Sequence, residues 1–194
     1  VHGAKANDAA NTHQNTYANV RRYDANGALL GIFSTGRRHI RQVATDPVTD
    51  HWYATVARPA APTRGVLRFT GVSDKLDWLA KATNKAGKEV RLDAVAALGG
   101  VVYAARVQGS ATVHRFAAAD GKELDSIKLD HTSGAAVRTM SAVWGQLLVT
   151  HDDSENTANK TVMRRFAIDG AIVKSVGAAL TTPYKTVVAP TVVG

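Results

Sequence analysis

Arg41, Arg91, Arg138 and Lys185 recur at intervals of 50, 47 and 47 residues, each where a polar loop gives way to an apolar run. Cations spaced that evenly become a site only if the chain repeats and folds its repeats about a common axis. Gathered so, they would ring an opening able to hold carboxylate, sulfate or phosphate. Low-dielectric walls focus such a field, and a guanidinium grips an oxyanion through two hydrogen bonds. The stretch STGRRHIRQ adds Arg37, Arg38 and His39 beside the first cation, and ARPAAPTRG adds Arg58 and Arg64 on a proline-containing loop. A plainer reading stands beside this one: a basic residue marks the solvated start of each strand, or pairs with an acid of the neighbouring unit.

Other chemistry is more thinly written. The segment THDDSENTANK carries His151, Asp152, Asp153 and Glu155. Clustered carboxylates could hold a hard cation such as Ca²⁺, but the spacing fits no calcium loop and no glycine supplies the sharp turn, so a solvated acidic loop is the simpler reading. The seven histidines never fall at metal-ligand spacing. No serine lies in a nucleophile-elbow context and no acid–base pair declares itself.

Bulk composition sets the frame. At 194 residues and 45% hydrophobic the chain can bury an ordinary core. The net charge of +8 favours acidic glycans, nucleic acid, phospholipid headgroups or cell-wall polymers as partners, though it also serves solubility. There is no cysteine, which removes disulfides, thiol catalysis and thiolate metal sites. No apolar run approaches the ~20 residues that span a bilayer, so no transmembrane segment is expected. The first residue is Val1, not Met, which suggests a processed or excised product, and a secreted or cell-surface location is expected.

The elements that must position the cations come from a phrase written four times: VRRYDANGALLGIF, VLRFTGVSDKLDWL, VHRFAAADGKELDSI and VMRRFAIDGAIVKSV. Tyr23, Phe69, Phe116 and Phe166 share a column at intervals of 46, 47 and 50, with Arg22, Arg68, Arg115 and Arg165 before them. A period of 40 to 50 residues suits one small sheet or one helical pair per unit. Val, Thr and aromatic enrichment, apolar–polar alternation and glycine turn signals choose strands. Each full unit reads as four strands, as in RQVATDPVTD, HWYATVA, GVLRFTG and KLDWLAKA, with a glycine turn between the third and fourth. Alternation sets each column arginine on the sheet face opposite its aromatic, where packing and contacts between units explain it better than a ligand does.

The stretches VATDPVTDHWYATVA, GVLRF and NVRRYDANGALLGIF resemble the NHL-type β-propeller repeat, and FAAADGKEL is similar to repeats of pyrroloquinoline-quinone-type propellers. The resemblance implies an all-β fold of four-stranded antiparallel blades, about four repeats of 46–50 residues, closed or a partial ring. On that reading residues 1–19 are a polar N-terminal segment, 20–40 a partial blade, 41–90, 91–137 and 138–184 full blades, and 185–194 the inner strand of a further one. In such an array the loops leading into the inner strands cluster at one mouth of a central channel, where Arg41, Arg91, Arg138, Lys185, Arg37, Arg38 and His39 would bind a ligand.

The function expected is a non-catalytic binding module that recognises a protein or anionic polymer, with no cofactor and no metal. Nucleic acid is disfavoured, because only Tyr17 and Tyr184 offer exposed rings for base stacking. Two alternatives remain open. One is a metal-dependent lyase or lactonase-like enzyme, since propeller enzymes of those kinds hold a metal on the axis and His39 and His131 both lead into inner strands. The other is a structural part of an assembly whose open blade is completed by another copy or a second chain.

Overall fold

A computed structural model describes residues 19–34, 40–46, 48–56, 64–71, 75–106, 111–129, 137–152 and 161–180. Every regular element among them is a β strand. A hairpin, β1 (Asn19–Tyr23) with β2 (Leu29–Ser34), precedes three four-stranded antiparallel meanders. Sheet 1 is β3 (Ile40–Thr45), β4 (His51–Val56), β5 (Gly65–Thr70) and β6 (Leu76–Ala80). A two-stranded insert, β7 (Ala82–Thr83) with β8 (Glu89–Val90), follows. Sheet 2 is β9 (Ala94–Leu98), β10 (Val101–Ala105), β11 (Thr112–Ala117) and β12 (Glu123–Lys128). Sheet 3 is β13 (Val137–Val143), β14 (Gln146–Asp152), β15 (Thr161–Phe166) and β16 (Ile172–Leu180). Among the described residues no helix is long and apolar enough to cross a membrane.

Strand order within each sheet equals chain order, as a meander of antiparallel neighbours requires. The turns between third and fourth strands use Gly27, Gly71, Gly121 and Gly170 at φ of 84°, 57°, 75° and 98°. A residue with a Cβ pays for that left-handed conformation.

Strands β4 and β10 are buried on both faces, which explains why they read as apolar runs rather than clean alternation. The core divides into three clusters. One holds Phe69, Trp52 and Leu67 of sheet 1 with Val20 of the hairpin against them. The second holds Tyr53 and Val66 of sheet 1 with Val102 and Phe116 of sheet 2. The third holds Tyr103 and Val113 of sheet 2 with Met140, Leu147 and Phe166 of sheet 3. Phe69, Phe116 and Phe166 are all fully buried, each worth roughly 1.5–3 kcal/mol of apolar transfer.

The first strands converge. Strand β9 touches both β3 and β13, so three sheets meet along their first strands. Gln42 of β3 ties the junction: its Oε1 accepts the Val95 N–H at 3.2 Å and the Met140 N–H at 3.3 Å, and its Nε2 donates to the Met140 carbonyl. One side chain thereby joins backbones 53 and 98 residues away.

Candidate anion-binding rim

The leading ends of β3, β9 and β13 bring the described cations to one edge of the molecule. Asp93, 3% exposed, takes two guanidinium groups on Oδ1: Arg91 through Nη2 at 2.7 Å and Nε at 2.8 Å, and Arg41 of the neighbouring sheet through Nε at 3.6 Å. The Thr55 hydroxyl donates to the Asp93 carbonyl at 2.8 Å, fixing the backbone beneath the carboxylate. Arg138 makes a two-pronged contact with Asp152, Nε to Oδ1 at 2.9 Å and Nη2 to Oδ2. That hydrogen bond raises the Arg138 pKa, burial opposing and the charge of Asp152 adding to it.

The register differs from the one the cation spacing predicts. Val43, Val95 and Met140 are the first-strand partners of Ala54, Ala104 and Val149, each two residues past the second-strand residue that faces the buried Phe. Two positions upstream of them stand Arg41, Asp93 and Arg138. The middle member of the tier is an acid, and Arg91 reaches it from two residues earlier. A bulge in β3 between Ile40 and Val43 and another in β13 between Val137 and Thr139 shift the phase, so equal spacing in sequence is not equal height in the sheets. Among the described residues the rim therefore carries three guanidinium groups against two carboxylates rather than a ring of bare cations. Arg41 and Arg138 keep side chains 47% and 41% exposed. Arg37, Arg38, His39 and Lys185 lie outside the described residues, as do Arg58 and His131.

Within the acidic segment, His151 is fully buried; its Nδ1 stands 2.9 Å from the Asp152 carbonyl and its Nε2 stands 3.4 Å from Arg164. With Asp152 held by Arg138, both described members of that segment serve sheet 3. Among the described residues no group of three or more His, Asp or Glu could hold a metal ion.

Three of the column arginines, Arg22, Arg68 and Arg115, have structural partners. Arg68 donates through Nε to Asp77 at 3.0 Å and through Nη1 across the sheet boundary to the carbonyls of Ala118 and Ala119, the latter at 2.9 Å, while its guanidinium lies 5.9 Å from the Trp78 ring. Burial pushes the Asp77 carboxyl up, and hydrogen bonds from Thr70 and Arg68 outweigh it to hold the group below its ordinary value. Arg22 lies 4.0 Å from Asp50 of the next sheet, and Arg115 donates to the Asp125 carbonyl within its own sheet.

At the far end of the first strands, two clefts of about 320 and 380 Å³ flank the β3–β4 turn, sharing Asp46, Thr49 and His51 in their walls. Asp46 is buried there and accepts the Val48 N–H at 3.0 Å, a local turn bond and not a presented ligand. Gln42 and Asp93, the residues that organise the rim, sit in no motif of the sequence. Their signal was a polar side chain interrupting an otherwise Val- and Ala-rich first strand.

The chain matches no protein-family model and no curated protein.

Proposed function

We propose that the chain is a non-catalytic binding module built as a β-propeller-type array, NHL-like in its repeat, that holds an acidic protein or polymer against the leading ends of its first strands. The observation that carries this reading is the charge at that edge. Arg41, Arg91 and Arg138 stand there against Asp93 and Asp152 among the described residues, and the Arg41 and Arg138 side chains remain 47% and 41% exposed. An Arg already oriented by a carboxylate is pre-organised, so an incoming anion meets donors whose rotamer entropy is already spent. The propeller-type arrangement is supported by the meeting of three meanders along β9, with each sheet covering the next.

The test compares two charge-matched variants on a heparin column. Arg41→Ala with Arg138→Ala removes two rim cations and leaves Arg91 to satisfy the buried Asp93. Lys75→Ala with Lys122→Ala removes two cations from the opposite, turn end. The rim variant should elute at markedly lower salt than the parent, and the turn-end variant close to it. Equal shifts for both would mean that bulk charge does the binding, and the rim reading would be abandoned.

A further inference from the structure

The sequence holds one Asn–Gly pair, Asn26–Gly27, and it lies in the turn between β1 and β2. An asparagine so placed is an electrophile as well as a polar group. Its side-chain amide carbon can close a five-membered ring with the next backbone nitrogen, and glycine puts no Cβ in the way. Whether the pair reacts depends on what the turn does with both residues.

The hairpin turn is built like the last turn of sheet 3. Gly27 N–H donates to the Asp24 carbonyl at 3.1 Å and Asp24 N–H to the Ala28 carbonyl at 3.0 Å, as Gly170 does to Ala167 and Ala167 to Ala171. Asn26 therefore stands where sheet 3 has Asp169. Asp169 Oδ1 accepts the Ala171 N–H at 2.9 Å, and in sheet 2 Asp120 Oδ1 accepts the Lys122 N–H at 3.0 Å. In the hairpin Asp24 has taken over that task, its Oδ1 accepting the N–H groups of Ala28 at 2.8 Å and Asn26 at 2.9 Å. The exposed Asn26 side chain is thus left without a hydrogen bond among the described residues. Asn84 is the contrast: its Oδ1 accepts the N–H groups of Ala86 and Lys88, and Lys85 rather than glycine follows it.

The surroundings differ in the same sense. A Cβ on Gly121 would meet the Trp78 ring at 2.9 Å and one on Gly170 would overlap the Lys128 carbonyl, whereas Gly27 has nothing within 4 Å of a Cβ. Tyr23 and Leu29, which flank the hairpin turn, are both half exposed. Only the bond from Gly27 N–H to the Asp24 carbonyl has to open before the nitrogen can attack, and a two-stranded unit opens locally at low cost.

We infer that Asn26 is a modification site, at which the chain converts its own asparagine to aspartate or isoaspartate through a succinimide formed with Gly27. Hydroxide removes the Gly27 amide proton, the nitrogen bonds to Asn26 Cγ, and the Cγ–Nδ2 bond breaks, Nδ2 leaving as ammonia with a proton from water. Water then adds to one of the two ring carbonyls and the ring C–N bond there breaks. The sum is one water consumed and one ammonia released, with no change of oxidation state. Opening one way gives aspartate, the residue type that Asp120 and Asp169 already supply in the sister turns. Opening the other way adds a methylene to the main chain between Asp24 and Ala28, so the two backbone bonds of the turn cannot both persist and the Tyr23–Leu29 pairing loosens. This inference stands independently of what the rim binds.

Peptide mapping by mass spectrometry tests it on the full chain, incubated at pH 7.4 and at pH 9 in ¹⁸O-labelled water, with a portion unfolded in urea as reference. Trypsin releases Tyr23–Arg37, in which Asn26 is the one asparagine, and Ala82–Lys85, which carries Asn84. In the native chain Tyr23–Arg37 should exchange –NH₂ for labelled –OH, faster at pH 9, and yield two products of different retention, one of them matching the peptide of an Asn26→Asp chain. Asn84 should persist, and Gly27→Ala should slow the conversion of Asn26 by at least about tenfold. A native chain that keeps Asn26 while the unfolded reference converts would overturn the proposal. So would a single product matching Asn26→Asp, which is direct hydrolysis, or a Gly27→Ala chain that converts at the parent's rate.

Discussion

Asp93 shows how one residue can decide the character of a surface. Its carboxylate is sealed from solvent and holds Arg91 and Arg41, so removing both cations would strand a buried charge at a cost of about 3–5 kcal/mol. Arg91 is for that reason foundation as much as binding group, while Arg41 and Arg138 can be replaced with less harm to the fold. Tyr53 presents the opposite problem. Its hydroxyl is buried without a partner, and burial, with the nearby charge of Asp46, pushes its pKa up to about 12. The folded chain thus keeps the phenol proton to higher pH than the unfolded chain does. Stability contributed by that difference is present below about pH 10 and falls as pH rises from 10 towards 12, by on the order of 2–3 kcal/mol. Urea unfolding at pH 9 and at pH 11.5 should show Tyr53→Phe near the parent at the lower pH and more stable than it at the higher. A parent and variant that decline in parallel would place the phenol in contact with water.

At the level of the elements, the strands were legible because period-two alternation and β-branched residues are local properties, and the glycine turns because positive φ leaves few other choices. The insert β7–β8 was not: two-residue strands in KATNKAGKEV carry no alternation, and the hairpin is held by Asn84 Oδ1 accepting the N–H groups of Ala86 and Lys88 and by the Lys81–Glu89 pair at 2.6 Å. The tier of the rim was also hidden, since bulges in β3 and β13 shift phase without marking the sequence, and an alignment by charge set Arg91 where Asp93 stands. Turn glycines of one sequence type divide by what they touch. Gly170 faces the backbone of Lys128, whereas Gly27 faces open space. Gly27→Ala should cost only the left-handed backbone, about 1–2 kcal/mol, and Gly170→Ala should cost at least ~3 kcal/mol because the sheet 2–sheet 3 joint must open as well. Equal losses in urea midpoint would mean that the turn does not pack on β12.

For the molecule as a whole, each meander has apolar side chains that one sheet cannot hide alone, and packing against the neighbouring sheet buries them. The column of aromatics announced that in the sequence; the path by which the units converge did not, because a single amide does the joining. Gln42 contributes an acceptor and a donor to strands of two other sheets, and no pattern in RQVAT distinguishes that role from an ordinary polar residue. Native-state hydrogen exchange of the Val95 and Met140 amides, in the parent and in Gln42→Ala, tests this convergence most directly. Both amides should exchange slowly in the parent and accelerate together in the variant by roughly tenfold or more, the equivalent of one lost hydrogen bond of ~1.4 kcal/mol, beyond any change at the Leu129 amide, which donates to Ala111 within sheet 2. Val95 and Met140 amides that ignore the substitution, or that accelerate no more than Leu129 does, would contradict the meeting of the three sheets at β9.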